Sequence, residues 1–340
     1  MATTAIPAKT REVRLASHVT DVVSEANFDV VEVDVRAPGD GEVVVRYDYL
    51  QVTAVMQDLM REDADLPMPT YKVGEALWGF AVGEVVASNS PDLAVGDSVQ
   101  GMNGWQQYAV GPAQSFWKLD PTLFPSPEHY LTQGPTAYHG IVDIAQVREG
   151  DTVFVSGAAG GVGSLAGQIA KCLGAKRVIG SAGSQKKIDY LVNELGFDAA
   201  FNYKEGKAVD NLRRLAPDGI DVFFDVVGGE QFEAAVQAAA QDARFALCGA
   251  LSGQVGDSDG AFPRLDIMTA IVRQIQIRPF ATYHTPEQIW SWQQNFSTWL
   301  KEGKFVFPHT IVEGGLEKAP EALIDLLRGK HFGNVLVKLT

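Results

Sequence analysis

Asp151-Thr152-Val153-Phe154-Val155-Ser156-Gly157-Ala158-Ala159-Gly160-Gly161-Val162-Gly163-Ser164 is the stretch that decides the fold. Its first half, rich in β-branched and aromatic residues, favours an extended chain. The glycine-rich turn that follows leads into Ser164–Leu173, which has the spacing of a helix. Ala-x-Gly-x-x-Gly (Ala158, Gly160, Gly163) between a strand and a helix is the dinucleotide fingerprint with alanine at its first position. Gly160 lets the backbone approach a pyrophosphate, Gly161 and Val162 complete the loop, and Gly163 lets the helix pack close to the strand. The helix start offers unpaired N–H groups and a positive dipole end to phosphate.

Working outward, strand-like and helical runs alternate: Arg177–Ser181, Gln185–Leu195, Ala200–Tyr203, Val209–Leu215, Asp221–Val227, Gln231–Ala240 and Phe245–Gly249. Repeated βα units predict a doubly wound parallel sheet of the Rossmann type. Gly174 and Gly196 stand where helices end, and Ser184 is an N-cap candidate. Upstream, the first 120 or so residues read as short strands, among them Asp29–Val35, Gly41–Asp48 and Gly79–Ser88, separated by Gly-Asp turns. That pattern suits a β-rich, partly antiparallel barrel. Downstream come a Trp-rich helix (Gln288–Leu300), a helix at Leu316–Leu327 and a strand at Val335–Leu339. The expected division is a β-rich domain of residues 1–128 and 301–340 around a nucleotide-binding domain of residues 129–300, with a cleft built from both.

Composition narrows the function. The 28 basic and 42 acidic residues leave a net charge of −14, which disfavours nucleic acid and anionic membranes as partners. Cys172 and Cys248 are too few for a disulfide framework or a four-thiolate zinc site, and both are expected as buried, reduced packing residues. No signal peptide and no membrane span is expected, so the expected location is the cytoplasm.

Charge also points to the cofactor. An NAD site commonly carries an acid at the end of the second strand, about 20 residues beyond the glycine loop, to hold the ribose hydroxyls. Here the window reads Gly180-Ser181-Ala182-Gly183-Ser184-Gln185-Lys186-Lys187, with no acid and two lysines. An ammonium attracts a 2′-phosphate that an acid would repel, so NADP(H) is expected.

Ser156–Lys171, with its Ser-Gly-Ala-Ala-Gly-Gly-Val-Gly-Ser opening, resembles the medium-chain dehydrogenase/reductase superfamily. Within it the chain looks like the zinc-independent prostaglandin, 2-alkenal and curcumin reductases. Supporting segments include Phe201-Asn202-Tyr203-Lys204, Asp225-x-Val227-Gly228-Gly229, Cys248-Gly249-Ala250, Thr136-Ala137-Tyr138-x-Gly140 and Gly333 before Val335-Leu336-Val337-Lys338. The resemblance implies a GroES-like barrel beside the Rossmann domain, and hydride transfer from NADPH to the β-carbon of an enone or enal. It places Lys187 and Tyr203, with Ser184, at the 2′-phosphate. Thr136, Val227, Gly249, Phe280, Gly333 and Asn334 fall elsewhere along the cofactor. It makes Tyr283, after Arg278-Pro279-Phe280-Ala281-Thr282, the catalytic residue near the substrate carbonyl. A phenol O–H there could hydrogen-bond the enolate oxyanion as its charge develops. Homodimers are frequent among such proteins.

The departures concern the substrate. Thr53-Ala54-Val55-Met56-Gln57 replaces a segment that carries a tyrosine and an arginine in those reductases, so Val55 would leave an apolar wall. Trp105 and Tyr138 are further candidates to line the substrate, and His139 and His284 could contact it. Zinc relatives need an early cysteine and a Gly-His-Glu; this chain has Val73-Gly74-Glu75 and no cysteine before residue 172, so no metal is expected. A zinc-free quinone oxidoreductase and a cofactor-retaining binding protein are the competing readings.

Overall fold

The computed structural model describes residues 6–64, 66, 68–254 and 262–339. It divides into two compact units, one of Met1–Thr132 with His309–Thr340 and the other of Gln133–Pro308.

In the first unit, β1 (Lys9–Leu15) pairs antiparallel with β2 (Phe28–Asp34). Then come β3 (Glu42–Val52), α1 (Val55–Leu59), β4 (Ala81–Ser88), β5 (Ser98–Gly101), β6 (Tyr108–Pro112) and β7 (Phe116–Lys118). Valines and aromatics of β3 and β4 form the core with Leu15, Met60 and Trp105, all at zero exposure. At Gly83 β4 runs close against β3: a side-chain carbon there would stand 2.7 Å from Tyr47 Cα. The pairing register shifts between Tyr47 and Tyr49.

The second unit opens with α2 (Gly134–His139), continued by a π-helical turn at Gly140–Ile144. It proceeds through β8 (Thr152–Val155), α3 (Gly163–Cys172), β9 (Arg177–Ala182), α4 (Gln185–Asn193), β10 (Ala199–Asn202) and α5 (Ala208–Leu215). Next are β11 (Ile220–Asp225), α6 (Gly229–Gln237), β12 (Ala239–Leu247), α7 (Leu251–Gln254), α8 (Ile267–Arg273), β13 (Gln276–Pro279) and α9 (Pro286–Lys301). The parallel sheet has the order β10-β9-β8-β11-β12-β13, the doubly wound pattern in which strand order reverses between β8 and β11. Stacked phenylalanines fill its centre, Phe154 lying 5.0 Å from Phe223.

The chain then returns to the first unit as β14 (His309–Val312), α10 (Ala319–Leu327) and β15 (Asn334–Lys338). The seven-stranded sheet runs β14-β15-β3-β4-β5-β7, with β6 on β3.

The expected parallel sheet and barrel-like first unit are both present, and the differences are local. The expected helix Gln231–Ala240 stops at Gln237, and Ala239–Gln241 join β12 instead. Alanine's helix preference yields there to pairing with β11, and Asp242 adopts φ 59° where that pairing is irregular. Of the three tryptophans on α9, Trp292 and Trp299 are buried while Trp290 is 62% exposed. Both cysteines are free but half-buried rather than fully buried. Among the described residues, no helix is long and apolar enough to cross a membrane.

Candidate active site

The loop after β8 is fixed by its own backbone. Gly157 takes φ +56°, Gly160 N–H donates to Gly157 O at 3.1 Å, and Ala158 N–H donates to Ser181 O at 2.9 Å. A side-chain carbon on Gly163 would stand 2.6 Å from Gly157 O and 2.9 Å from Ala158 Cα, so only glycine lets α3 begin so close to β8. Gly160, by contrast, is exposed, with its side-chain direction largely open.

A buried polar knot ties this loop to the one after β11. Ser156 Oγ donates to Asp225 Oδ1 at 2.7 Å, and Val226 N–H donates back to Ser156 Oγ at 2.9 Å. Val227 and Gly228 N–H also donate to Asp225 Oδ1, each at 2.9 Å. Burial pushes the Asp225 carboxyl upward, opposed by the hydrogen bonds from Gly228, Ser156 and Val227. The knot stands at the switch point of the sheet, where ligands of doubly wound folds bind. Gly249 N–H donates to Asp225 O at 3.1 Å, and Gly249 helps line a cavity of about 430 Å³ with Asp225, Gly228, Cys248 and Ser252.

The second corner lies past β9. Ser184 caps α4, accepting from Lys187 N–H at 3.4 Å. Lys204 holds its ammonium 5.8 Å from the centre of the Tyr203 ring. Lys187 is half-buried, and its ammonium is depressed first by burial and then by repulsion from Lys204. Two cations that disfavour one another, beside a phenol and a helix start, suit a phosphate dianion. Together with the close-packed Gly163, this donor set fits NADP(H). Sequence reasoning does not single out Lys204, although it completes the Phe201-Asn202-Tyr203-Lys204 segment; the signal was a second cation next to the matched tyrosine.

A third group gathers around α2. Thr136 Oγ1 lies 3.0 Å from His284 Nε2. The His139 ring is 5.9 Å from His284 and 5.5 Å from Phe280, both edge-on. His139 Nδ1 bonds Asp143 Oδ2 at 2.7 Å, with the Gln288 amide nitrogen 2.8 Å away. Burial, and then His139, lower His284 from 6.5 to about 4. Tyr283, next in the chain, is 56% exposed.

The remaining expected residues are placed differently. Tyr138 turns toward α9: its hydroxyl accepts from Asn295 Nδ2 at 3.0 Å and its ring lies 6.2 Å from Trp292. Val55, Trp105, Gly333 and Asn334 belong to the first unit. Val55 opens α1 at 36% exposure, whereas Trp105 is fully buried and stacked 6.0 Å from Phe28. Trp105 thus serves packing within its own unit rather than presenting an open wall. Gly333 takes φ +61° before β15, and Asn334 is buried with its Oδ1 3.5 Å from Gln51 Nε2. Among the described residues, no three His, Cys, Asp or Glu side chains are grouped to hold a metal ion.

Residues 11–119 match the family described as the N-terminal domain of oxidoreductase, and residues 161–300 the one described as zinc-binding dehydrogenase. The chain is 34% identical to a 2-alkenal reductase (NADP(+)-dependent) of Nicotiana tabacum, over 97% of each chain. It is also 34% identical to the NADPH-dependent curcumin reductase of Escherichia coli, over 96% of this chain and 95% of that one. The crystal structure of CurA in complex with NADPH from Vibrio vulnificus superposes with a TM-score of 0.88 at 32% identity, covering 97% of this chain and 99% of the other.

Proposed function

We propose, for a chain that belongs to the zinc-independent medium-chain dehydrogenase/reductases, that it is an NADP(H)-dependent reductase of the C=C bond of α,β-unsaturated ketones or aldehydes. The observation that carries the substrate class is Tyr283: a largely exposed phenol next in the chain to His284, which pairs with Thr136. Relatives named for 2-alkenal, curcumin and pulegone reduction support the same class.

In this reading the backbone from Ala158 to Val162 and the start of α3 hold the pyrophosphate. Ser184, Lys187 and Tyr203, joined by Lys204, hold the 2′-phosphate. Thr136, Val227, Gly249 and Phe280 line the nicotinamide side. When bound, NADPH supplies a hydride to the β-carbon. Tyr283 then donates its O–H to the enolate oxygen as negative charge develops there, which is where a fixed donor lowers the barrier. Solvent protonates the α-carbon. Loss of NADPH absorbance with enones and enals, and its absence with saturated ketones, tests the reading.

The working form we propose is a homodimer, in keeping with a cytoplasmic enzyme. Strand β13 is the edge of the parallel sheet, and on α8 Ile267, Met268, Ile271 and Val272 are 58–66% exposed. A second copy related by a two-fold axis would pair the edge and cover that helix.

A further inference from the structure

We propose that His284 is a positioning residue that turns the Thr136 hydroxyl into a hydrogen-bond donor for a carbonyl oxygen of the bound reactants. The inference rests on the placement of Thr136 beside the nicotinamide proposed above, and adds to it the residue that sets the direction of the Thr136 proton.

The argument begins with the two nitrogens of His284. Nε2 lies 3.0 Å from Thr136 Oγ1, while Nδ1 is buried with no hydrogen-bond partner among the described residues. A neutral imidazole carries one N–H, and a buried N–H without an acceptor costs more than a bare lone pair. The proton therefore sits on Nε2 and is donated to Thr136 Oγ1, leaving Nδ1 unprotonated.

Neutrality follows from the surroundings. The titratable groups around the ring are His139 on α2, Asp143 on the π-helical turn and the neighbouring Tyr283, with the neutral Gln288 on α9. Asp143 pairs with His139 at 2.7 Å. The second ring 5.9 Å away and the loss of solvent both oppose a charge on His284.

With its oxygen occupied as an acceptor, Thr136 keeps its own proton free to donate. It has no second side-chain hydrogen bond among the described residues. A hydroxyl that receives one hydrogen bond donates the next more strongly. Its complement is an acceptor, and a carbonyl oxygen is the acceptor that both reactants offer: the nicotinamide carboxamide and the substrate carbonyl.

The test is a cycle of His284→Phe and Thr136→Val, with His284→Gln, which retains an N–H, as rescue. NADPH affinity is read by fluorescence, and kcat and KM with an aryl enone such as 4-phenylbut-3-en-2-one. Thr136→Val and His284→Phe should each lose about 3–10-fold, His284→Phe should lose nothing further in the Thr136→Val background, and His284→Gln should recover most of the loss. A loss in NADPH affinity assigns the carboxamide as acceptor; a loss in kcat/KM with that affinity intact assigns the substrate carbonyl. Equal losses from His284→Phe in both backgrounds, or none while Thr136→Val is impaired, overturn the proposal. Silence of Thr136→Val in both measurements removes the placement on which it rests, and the proposal with it. Independently of how any variant folds, imidazole 15N shifts of the unsubstituted protein should show His284 protonated on Nε2 alone at neutral pH. A proton on Nδ1 would contradict it.

Discussion

Gly183 and Tyr203 share one corner of the nucleotide-binding unit: a side-chain carbon on Gly183 would stand 3.1 Å from the Tyr203 hydroxyl and 3.3 Å from Lys204 Cε. Glycine there keeps the phenol and the lysine stem against the turn that precedes α4, where Ser184 and Lys187 lie. The corner is built by two successive βα turns, which is why no single motif describes it.

Lys187→Ala and Lys204→Ala should each weaken NADPH binding by about 10–100-fold, the size expected when a charge-assisted hydrogen bond to a phosphate is lost. NADH, which lacks the 2′-phosphate, should bind almost as before. Titrating both cofactors by fluorescence checks this. Equal losses for the two would remove the phosphate from this corner.

Gly163→Ala should destabilise the protein by about 1–3 kcal/mol, because the added carbon meets backbone atoms of the loop rather than a side chain that can move. The displaced loop should also bind NADPH less tightly. Urea unfolding and a cofactor titration of the same sample measure both. A fully stable variant with wild-type affinity would mean that the loop is not held as described.

His284 makes stability depend on acid. Its ring is lowered from 6.5 to about 4 by burial and by His139, so between those values the unfolded chain binds the proton that the folded chain refuses. Stability therefore rises with pH across that window, is full above it, and is lost progressively as pH falls from about 6.5 toward 4. His284→Gln should flatten this part of the decline in thermal melts taken from pH 4 to 7. Parallel curves for the two proteins would contradict the assignment.

The exposed residues of α8 give the dimer its test. Ile271→Asp places a charge in the middle of the apolar patch, and light scattering should show half the mass of the unsubstituted protein, with the monomer still folded. A dimer that survives the substitution would move the interface elsewhere.

Much of the nucleotide-binding unit is legible in the chain because its signals are local. The run Thr152–Val155, the glycines at 157, 160 and 163, and the cap at Ser184 each act within a few residues of themselves. The third group is not legible in this way: Thr136 and His284 are 148 residues apart, and only packing of α2 against the segment before α9 brings them to 3.0 Å. The Asp225–Ser156 knot is hidden for the same reason, since its partners end two strands separated by 69 residues. Trp105 shows the opposite hazard: an aromatic after Gly101-Met102-Asn103-Gly104 reads equally as pocket wall or core, and only its zero exposure decides. At Ala239, helix preference is overridden by pairing with Ile220 of β11.

The most direct measurement follows the hydride itself. The enzyme is given NADPH carrying deuterium at the transferable C4 position, with an aryl enone as substrate, and the product is examined by NMR for the unsubstituted protein and for Tyr283→Phe. The account predicts a saturated ketone with one deuterium on the β-carbon, and a turnover about 10–1,000-fold lower for Tyr283→Phe, the range for loss of one oxyanion donor, with NADPH affinity unchanged. An allylic alcohol deuterated at the carbinol carbon, turnover with quinones alone, or full activity of Tyr283→Phe would contradict it.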